Sequence, residues 1–153
     1  MCLTIDADEV FKEDEIENAL NYAFTDPERY FGIDGYKNFW RSFNHVCLDG
    51  FRPIRIENFN NDNGEQNINC KLTIYHFSTC QREEIMRFKY GVFGHASEMK
   101  PNWLDNVYYR WTPANNFSDL HCVSIGLWNA VEFDKTTLPE YLKTHANYNK
   151  EIV

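Results

Sequence analysis

Within residues 36–48 the apolar side chains fall at Tyr36, Phe39, Trp40, Phe43, Val46 and Cys47. That is an i, i+3, i+4, i+7 series continued at +10 and +11, the spacing of one buried helix face. Lys37, Asn38, Arg41, Ser42 and Asn44 take the other positions. The pattern predicts an amphipathic helix over 36–48, with Asp34 as N-cap and Asp49-Gly50 as its end. Four aromatic rings on one stripe require a broad apolar partner, which the rest of the chain must supply.

An earlier helix is expected over 13–24, where Ile16, Ala19, Leu20, Ala23 and Phe24 form a narrow apolar stripe. Asp26-Pro27 stops it. After residue 50 the apolar period changes from 3.6 to 2. Ile54 and Ile56 mark a first strand, and Ile68, Cys70, Leu72 and Ile74 a second, with Asn63-Gly64 between them as a hairpin signal. Met86, Phe88, Tyr90 and Val92 alternate with Ile85, Arg87 and Lys89 and read as a third strand over 84–93. Val107, Tyr109 and Trp111 suggest a fourth, and 120–127 a fifth that resumes at 130–133. Thr136 or Thr137 caps a last helix, with Pro139 in its first turn and Leu138, Tyr141, Leu142 and His145 on one face. Helices at the ends of a run of strands predict an α+β fold. The expected form is a curved, five-stranded antiparallel sheet packed by two N-terminal helices and one C-terminal helix, as one domain over 1–153.

Charge is distributed unevenly. Residues 1–28 hold nine acids (Asp6, Asp8, Glu9, Glu13, Asp14, Glu15, Glu17, Asp26 and Glu28) against the single base Lys12. The remaining residues are balanced, so this segment carries the whole net charge of −8. An acidic face of this kind argues against binding nucleic acid, which needs a basic footprint, and can steer a protein to a basic partner. No run is long and apolar enough to span a bilayer, and the N-terminus has neither the basic region nor the apolar stretch of a signal peptide. The expectation is a cytoplasmic protein without membrane contact, with its five cysteines as free thiols.

Enzymatic signatures are weak. His76, Cys80, His121 and Cys122 hold the right donor types for zinc, but His121 and Cys122 are neighbours and no Cys-x-x-Cys pair occurs. A Cys–His nucleophile is not singled out, since any cysteine could pair with any histidine. Cys47 and Cys122 read as small core residues. Glu57, Glu83 and Glu132 sit near strands without a distinguishing pattern, and no phosphate-binding glycine loop is present. No catalytic residue, cofactor or metal is expected.

Two segments resemble a known family. Asp34-Gly-Tyr-Lys-Asn-Phe-Trp-Arg-Ser-Phe43 resembles the early helix of immunity proteins from contact-dependent growth inhibition systems, which carries a Tyr-Lys-x-x-Trp core ahead of the sheet. Val123-Ser-Ile-Gly-Leu-Trp-Asn-Ala-Val-Glu-Phe-Asp134 resembles their late, Trp-bearing strand, and Leu138-Pro-Glu-Tyr-Leu-Lys143 their closing helix. The acidic N-terminus and residues 94–118 have no counterpart. The resemblance implies a bacterial protein without chemistry of its own. It would bind the basic C-terminal toxin domain of a cognate effector, commonly a nuclease, and occlude its active site. Because toxin-contacting residues vary in such proteins, it assigns no residue roles. The charge layout makes Asp8, Glu9, Glu13, Asp14 and Glu17 the candidate partner-binding residues. Two other classes compete: an NTF2-like cone that binds a small ligand or acts as a lyase, with His76 or Glu132 facing a deep pocket, and a DNA-mimicking inhibitor, which calls for a long double row of acids that this sequence lacks.

Overall fold

A computed structural model describes residues 1–26, 28–48, 50–60 and 66–153, the side chains of 66–69 excepted. The order of elements is β1 (Cys2–Leu3), β2 (Glu9–Val10), α1 (Glu13–Thr25), β3 (Tyr30–Trp40), β4 (His45–Leu48), β5 (Ile54–Glu57), β6 (Gln66–Thr79), α2 (Glu83–Gly91) and β7 (Ala130–Glu132). The fold is α+β, with a seven-stranded, mostly antiparallel sheet. Its strands are hydrogen-bonded in the order β1-β5-β3-β4-β7, with β6 beside β3 and β2 beside β6.

α1 matches its expected span. Glu13, Asp14 and Glu15 in its first turn face the positive end of the helix dipole. At its end Thr25 Oγ1 donates to the carbonyls of Asn21 and Tyr22. Asp26 Oδ1 accepts Glu28 N–H at 3.0 Å in a turn. The first two expected strands are β5 and β6, whereas the Asn63-Gly64 hairpin signal, Pro27 and Asp49 lie outside the described residues. The short β1 and β2, too brief to leave a period, were not foreseen.

The predicted second helix is instead strand, turn and strand. β3 runs to Trp40, residues 41–44 turn, and β4 follows. Two glycines within six residues, together with Ile33 and the aromatics, favour extended backbone over helix. Gly35 has a packing reason: a Cβ there would stand 3.3 Å from two atoms of the Thr73 side chain on β6. Phe39, Trp40, Phe43, Val46 and Cys47 are all buried. Adjacent buried residues on a strand covered on both faces imitate a helical stripe.

The third, fourth and fifth expected strands and the last helix are also corrected. Residues 83–91 form α2: Met86 is buried while Phe88 is 70% exposed, so the alternation does not correspond to two sheet faces. Glu83–Arg87 is an i, i+4 pair, and the acids at its start and Lys89 at its end suit the dipole. Val107 and Tyr109 belong to a π-helical turn, Leu104–Tyr108, and its exit. Residues 120–127 form a closed loop, with Leu120 N–H bonded to Trp128 O, His121 N–H to Leu127 O, and Asp119, Gly126 and Trp128 in left-handed backbone. Only β7 follows. The C-terminal segment makes two 3₁₀ turns, Lys135–Thr137 and Glu140–Thr144, separated by the extended Pro139.

The chain divides into two compact units. Unit 1 comprises Met1–Asn38 and Asp49–Ser78, with Phe11, Ala19, Ala23, Phe31, Ile33, Ile56, Cys70, Leu72 and Ile74 as its core. Unit 2 comprises Phe39–Leu48 and Thr79–Val153. Its core surrounds Trp40, whose ring lies 5.4–6.4 Å from those of Trp103, Tyr108, Trp111 and Trp128, all edge-on. No helix of the described residues is long and apolar enough to cross a membrane.

Candidate functional site

Unit 1 separates the five acids singled out from the sequence. Glu9 sits on β2, paired with His76 of β6, and its carboxylate is buried. Its Oε2 accepts Arg55 Nε at 3.1 Å, and Arg55 Nη2 reaches Glu9 Oε1 and, at 3.0 Å, Asp6 Oδ2. Burial of this carboxylate is offset by a two-pronged ion pair. Asp8 Oδ1 lies 3.4 Å from Nε2 of His76, whose Nδ1 is 2.6 Å from Asn38 Oδ1, and Asp8 O accepts Phe77 N–H. Asp8 therefore fastens β2 to β6, and the Glu9 carboxylate ties it to Arg55 of β5.

Glu13, Asp14 and Glu17 lie on α1 and are exposed. None of the three makes a hydrogen bond or ion pair among the described residues. Their neighbour Glu15 differs. It is 3.6 Å from Lys12 Nζ, and its Oε2 accepts Thr73 N–H at 2.8 Å. Lys12 and Lys37 lie over the Tyr75 ring, 5.9 and 5.1 Å from its centroid. Burial, then the charge of Lys12, holds the Lys37 ammonium below its usual pKa. Lys12 and Lys37 are thus engaged by Glu15 and Tyr75.

Phe24 was expected on the buried stripe of α1 but is 75% exposed. Asn58 Nδ2 donates to Ala23 O at 3.3 Å, and Phe59, the next residue, is 57% exposed. Two uncovered aromatic side chains therefore accompany the C-terminal end of α1. The signal for Phe24 was available. On a helical projection Ile16, Ala19 and Ala23 centre the stripe, and Phe24 falls at its margin beside Glu13 and Glu17.

Unit 2 holds chemistry-bearing residues of another kind. Ser42 Oγ is 2.9 Å from His45 Nδ1, but both are buried, Ser42 Oγ also accepts Asn44 N–H, and the His45 ring packs on Trp111. Burial holds His45 below its usual pKa and so neutral, as a brace for the turn between β3 and β4. His121 Nδ1 accepts the amides of Val123 and Ser124, and Cys122 is buried. Among the described residues no three His, Cys, Asp or Glu side chains converge as a metal ion would require. Cys47, Cys70, Cys80 and Cys122 are buried and Cys2 is exposed; all are free thiols.

A hollow of about 400 Å³ on unit 2 is lined by residues that include Arg87, Tyr90, Met99, Lys100 and Asp105. Its charges are mutually engaged, Arg87 with Glu83 and Asp105, and Lys100 with Asp119. A hollow of about 240 Å³ on unit 1 is lined by Asn18, Ala19, Tyr22 and Lys71. Neither includes His76 or Glu132, the residues on which a ligand-binding reading depends; Glu132 is exposed on β7.

The chain matches no family model, no curated protein and no solved structure.

Proposed function

We propose that this chain is an inhibitory binding protein, of the kind represented by immunity proteins of contact-dependent growth inhibition, that docks on a basic toxin domain and occludes its active site. The observation that carries the reading is the exposed acidic face of α1, where Glu13, Asp14 and Glu17 make no ion pair among the described residues. A nuclease surface is basic because it grips phosphate, so an acidic helix attracts it before contact and orients the encounter. Glu13 and Asp14 also have a purely structural use in the first turn of α1, worth at most about 1 kcal/mol apiece. That use does not account for three acids that make no ion pair among the described residues, while Lys12 beside them turns to Glu15. Asp8 and Glu9 contribute indirectly in this scheme, since their carboxylates are engaged in holding β2. Inhibition then requires no catalysis. It requires an interface of ordinary size, roughly 800 Å² on each side, and tight binding because the toxin acts catalytically.

The resemblance to immunity proteins is confined to short sequence segments. The segment compared with an early helix is β3 and its turn, and the segment compared with a late strand, 123–134, runs from the 119–128 loop into β7. The charge layout carries the proposal instead.

The test begins with the tagged chain expressed from its native locus and purified at moderate salt. The expected outcome is stoichiometric recovery of one basic domain that arrests growth when expressed alone and is neutralised by co-expression of this chain. The triple variant Glu13→Lys, Asp14→Lys, Glu17→Lys should then slow association roughly 10- to 100-fold at low salt. A folded chain that recovers no basic domain overturns the proposal. An unchanged association rate in the triple variant removes α1 from the interface.

A further inference from the structure

The outward side of α1 is not uniformly acidic. Glu13, Glu17, Leu20 and Phe24 follow i, i+4, i+7, i+11 and so share one stripe. The stripe begins with two exposed acids, passes Leu20 at the rim of the unit 1 core, and ends on Phe24, 75% exposed. Phe59 accompanies that end, since the Asn58 side chain is bonded to Ala23 O and the Asn58 amide to Arg29 O. Single exposed apolar residues are ordinary on protein surfaces. Two large exposed aromatics at one helix end, on a stripe whose other end carries Glu13 and Glu17, have instead the make-up of a protein interface, an aromatic centre beside polar groups.

We infer that Phe24, supported by Phe59, is the anchor of the α1 surface, and that it seats against apolar side chains of a partner that carries Lys or Arg alongside them. The inference rests on the reading proposed above and deepens it by naming where binding energy resides. The acids set the approach and its salt dependence, and Phe24 sets the lifetime of the complex. Charge decides the occupant. A second copy meeting this face would bring Glu13, Asp14 and Glu17 of two helices together, like against like. A basic partner is attracted by the same three groups.

The probe is a phage-displayed library of random 16-residue peptides panned on the whole chain at low salt, with enriched sequences resynthesised for binding measurements. The expected result is peptides that combine Lys or Arg with Leu, Met, Phe or Trp. Their dissociation should be about 10-fold faster or more for Phe24→Ala, with association little changed. Circular dichroism and the melting profile should stay as in the parent, because Phe24 is already in water. Basic peptides that bind Phe24→Ala and Phe59→Ala as tightly as the parent would overturn the anchor and leave the acid-steered reading standing. Failure to enrich basic sequences, or binding insensitive to the Glu13, Asp14 and Glu17 reversals, would overturn both. A concentration-dependent dimer dissolved by Phe24→Ala would make a second copy the occupant and refute the inference.

Discussion

Replacing Arg41 by alanine probes how unit 2 is held together. Arg41 follows Trp40 with φ 54° and is 8% exposed. Its Nη1 donates to Trp111 O at 3.0 Å, to Tyr108 O at 3.1 Å and, more weakly, to Tyr109 O at 3.4 Å. The guanidinium carbon is 5.0 and 5.7 Å from the ring centroids of Tyr108 and Tyr109. Those carbonyls leave the π turn, where backbone dipoles concentrate negative charge. No carboxylate pairs with Arg41 among the described residues, so carbonyls and ring faces alone hold the cation. Nη1 carries two hydrogens, which permits about two full charge-assisted bonds, each contributing roughly 1.5–3 kcal/mol. Cation–π attraction adds about 1–2 kcal/mol. Desolvation of the guanidinium opposes these by several kcal/mol. The expected net loss in Arg41→Ala is about 3 kcal/mol, a fall of roughly 1–3 M in the urea midpoint. All four tryptophans lie in unit 2, so their emission follows the transition there. Arg41→Gly loses the same side chain but relieves the left-handed backbone by about 1 kcal/mol, which offsets the greater freedom of glycine in the unfolded chain. It should be at least as stable as the alanine variant. A midpoint for Arg41→Ala equal to that of the parent, or an alanine variant clearly more stable than the glycine one, would refute the account.

Two other perturbations follow from the same coordinates. Glu9→Ala leaves the Arg55 side chain, 13% exposed, with the exposed Asp6 as its one remaining ion-pair partner among the described residues. A cost of about 3 kcal/mol is expected, with faster amide exchange at Phe77, whose N–H is bonded to Asp8 O; unaltered exchange would count against it. Burial, and then the charge of Asp34, pushes the Cys70 thiol up to about 11. The folded chain therefore keeps a proton that the unfolded chain releases near pH 9, so this contribution is whole below that pH and is lost as pH rises towards 11. At about 1.4 kcal/mol per unit it amounts to roughly 2–3 kcal/mol. Urea titrations between pH 8 and 11 should show the parent losing more stability than Cys70→Val, and parallel curves would exclude the effect.

The parts of the fold legible in the sequence are those with one solvated face. α1 shows its stripe because Glu13, Asp14 and Glu17 stand opposite Ile16, Ala19 and Ala23, and β5 shows its alternation in Ile54 and Ile56. β3 was illegible because Phe39 and Trp40, adjacent in sequence, are both fully buried, which erases the period of two. α2 was misread because Ile85, Phe88 and Val92 are apolar yet exposed, so residue type no longer marks the inner face. Composition marked it better, since Glu, Met, Arg and Lys are all good helix formers. For the candidate site, the concentration of acid was plain from the sequence. Its division was not, because Asp8 and Glu9 are engaged by His76 and Arg55, residues distant in the chain.

The distribution of thiols has a practical consequence. Cys2 is exposed on β1 while Cys47, Cys70, Cys80 and Cys122 are closed off, so a maleimide dye applied to the folded protein goes to one address. That address belongs to unit 1, which has no tryptophan. The chain therefore offers two separate optical channels, four indoles for one unit and a single conjugated fluorophore for the other. A partner arriving at α1 can be followed in the second channel while the first records whether the indole cluster is disturbed.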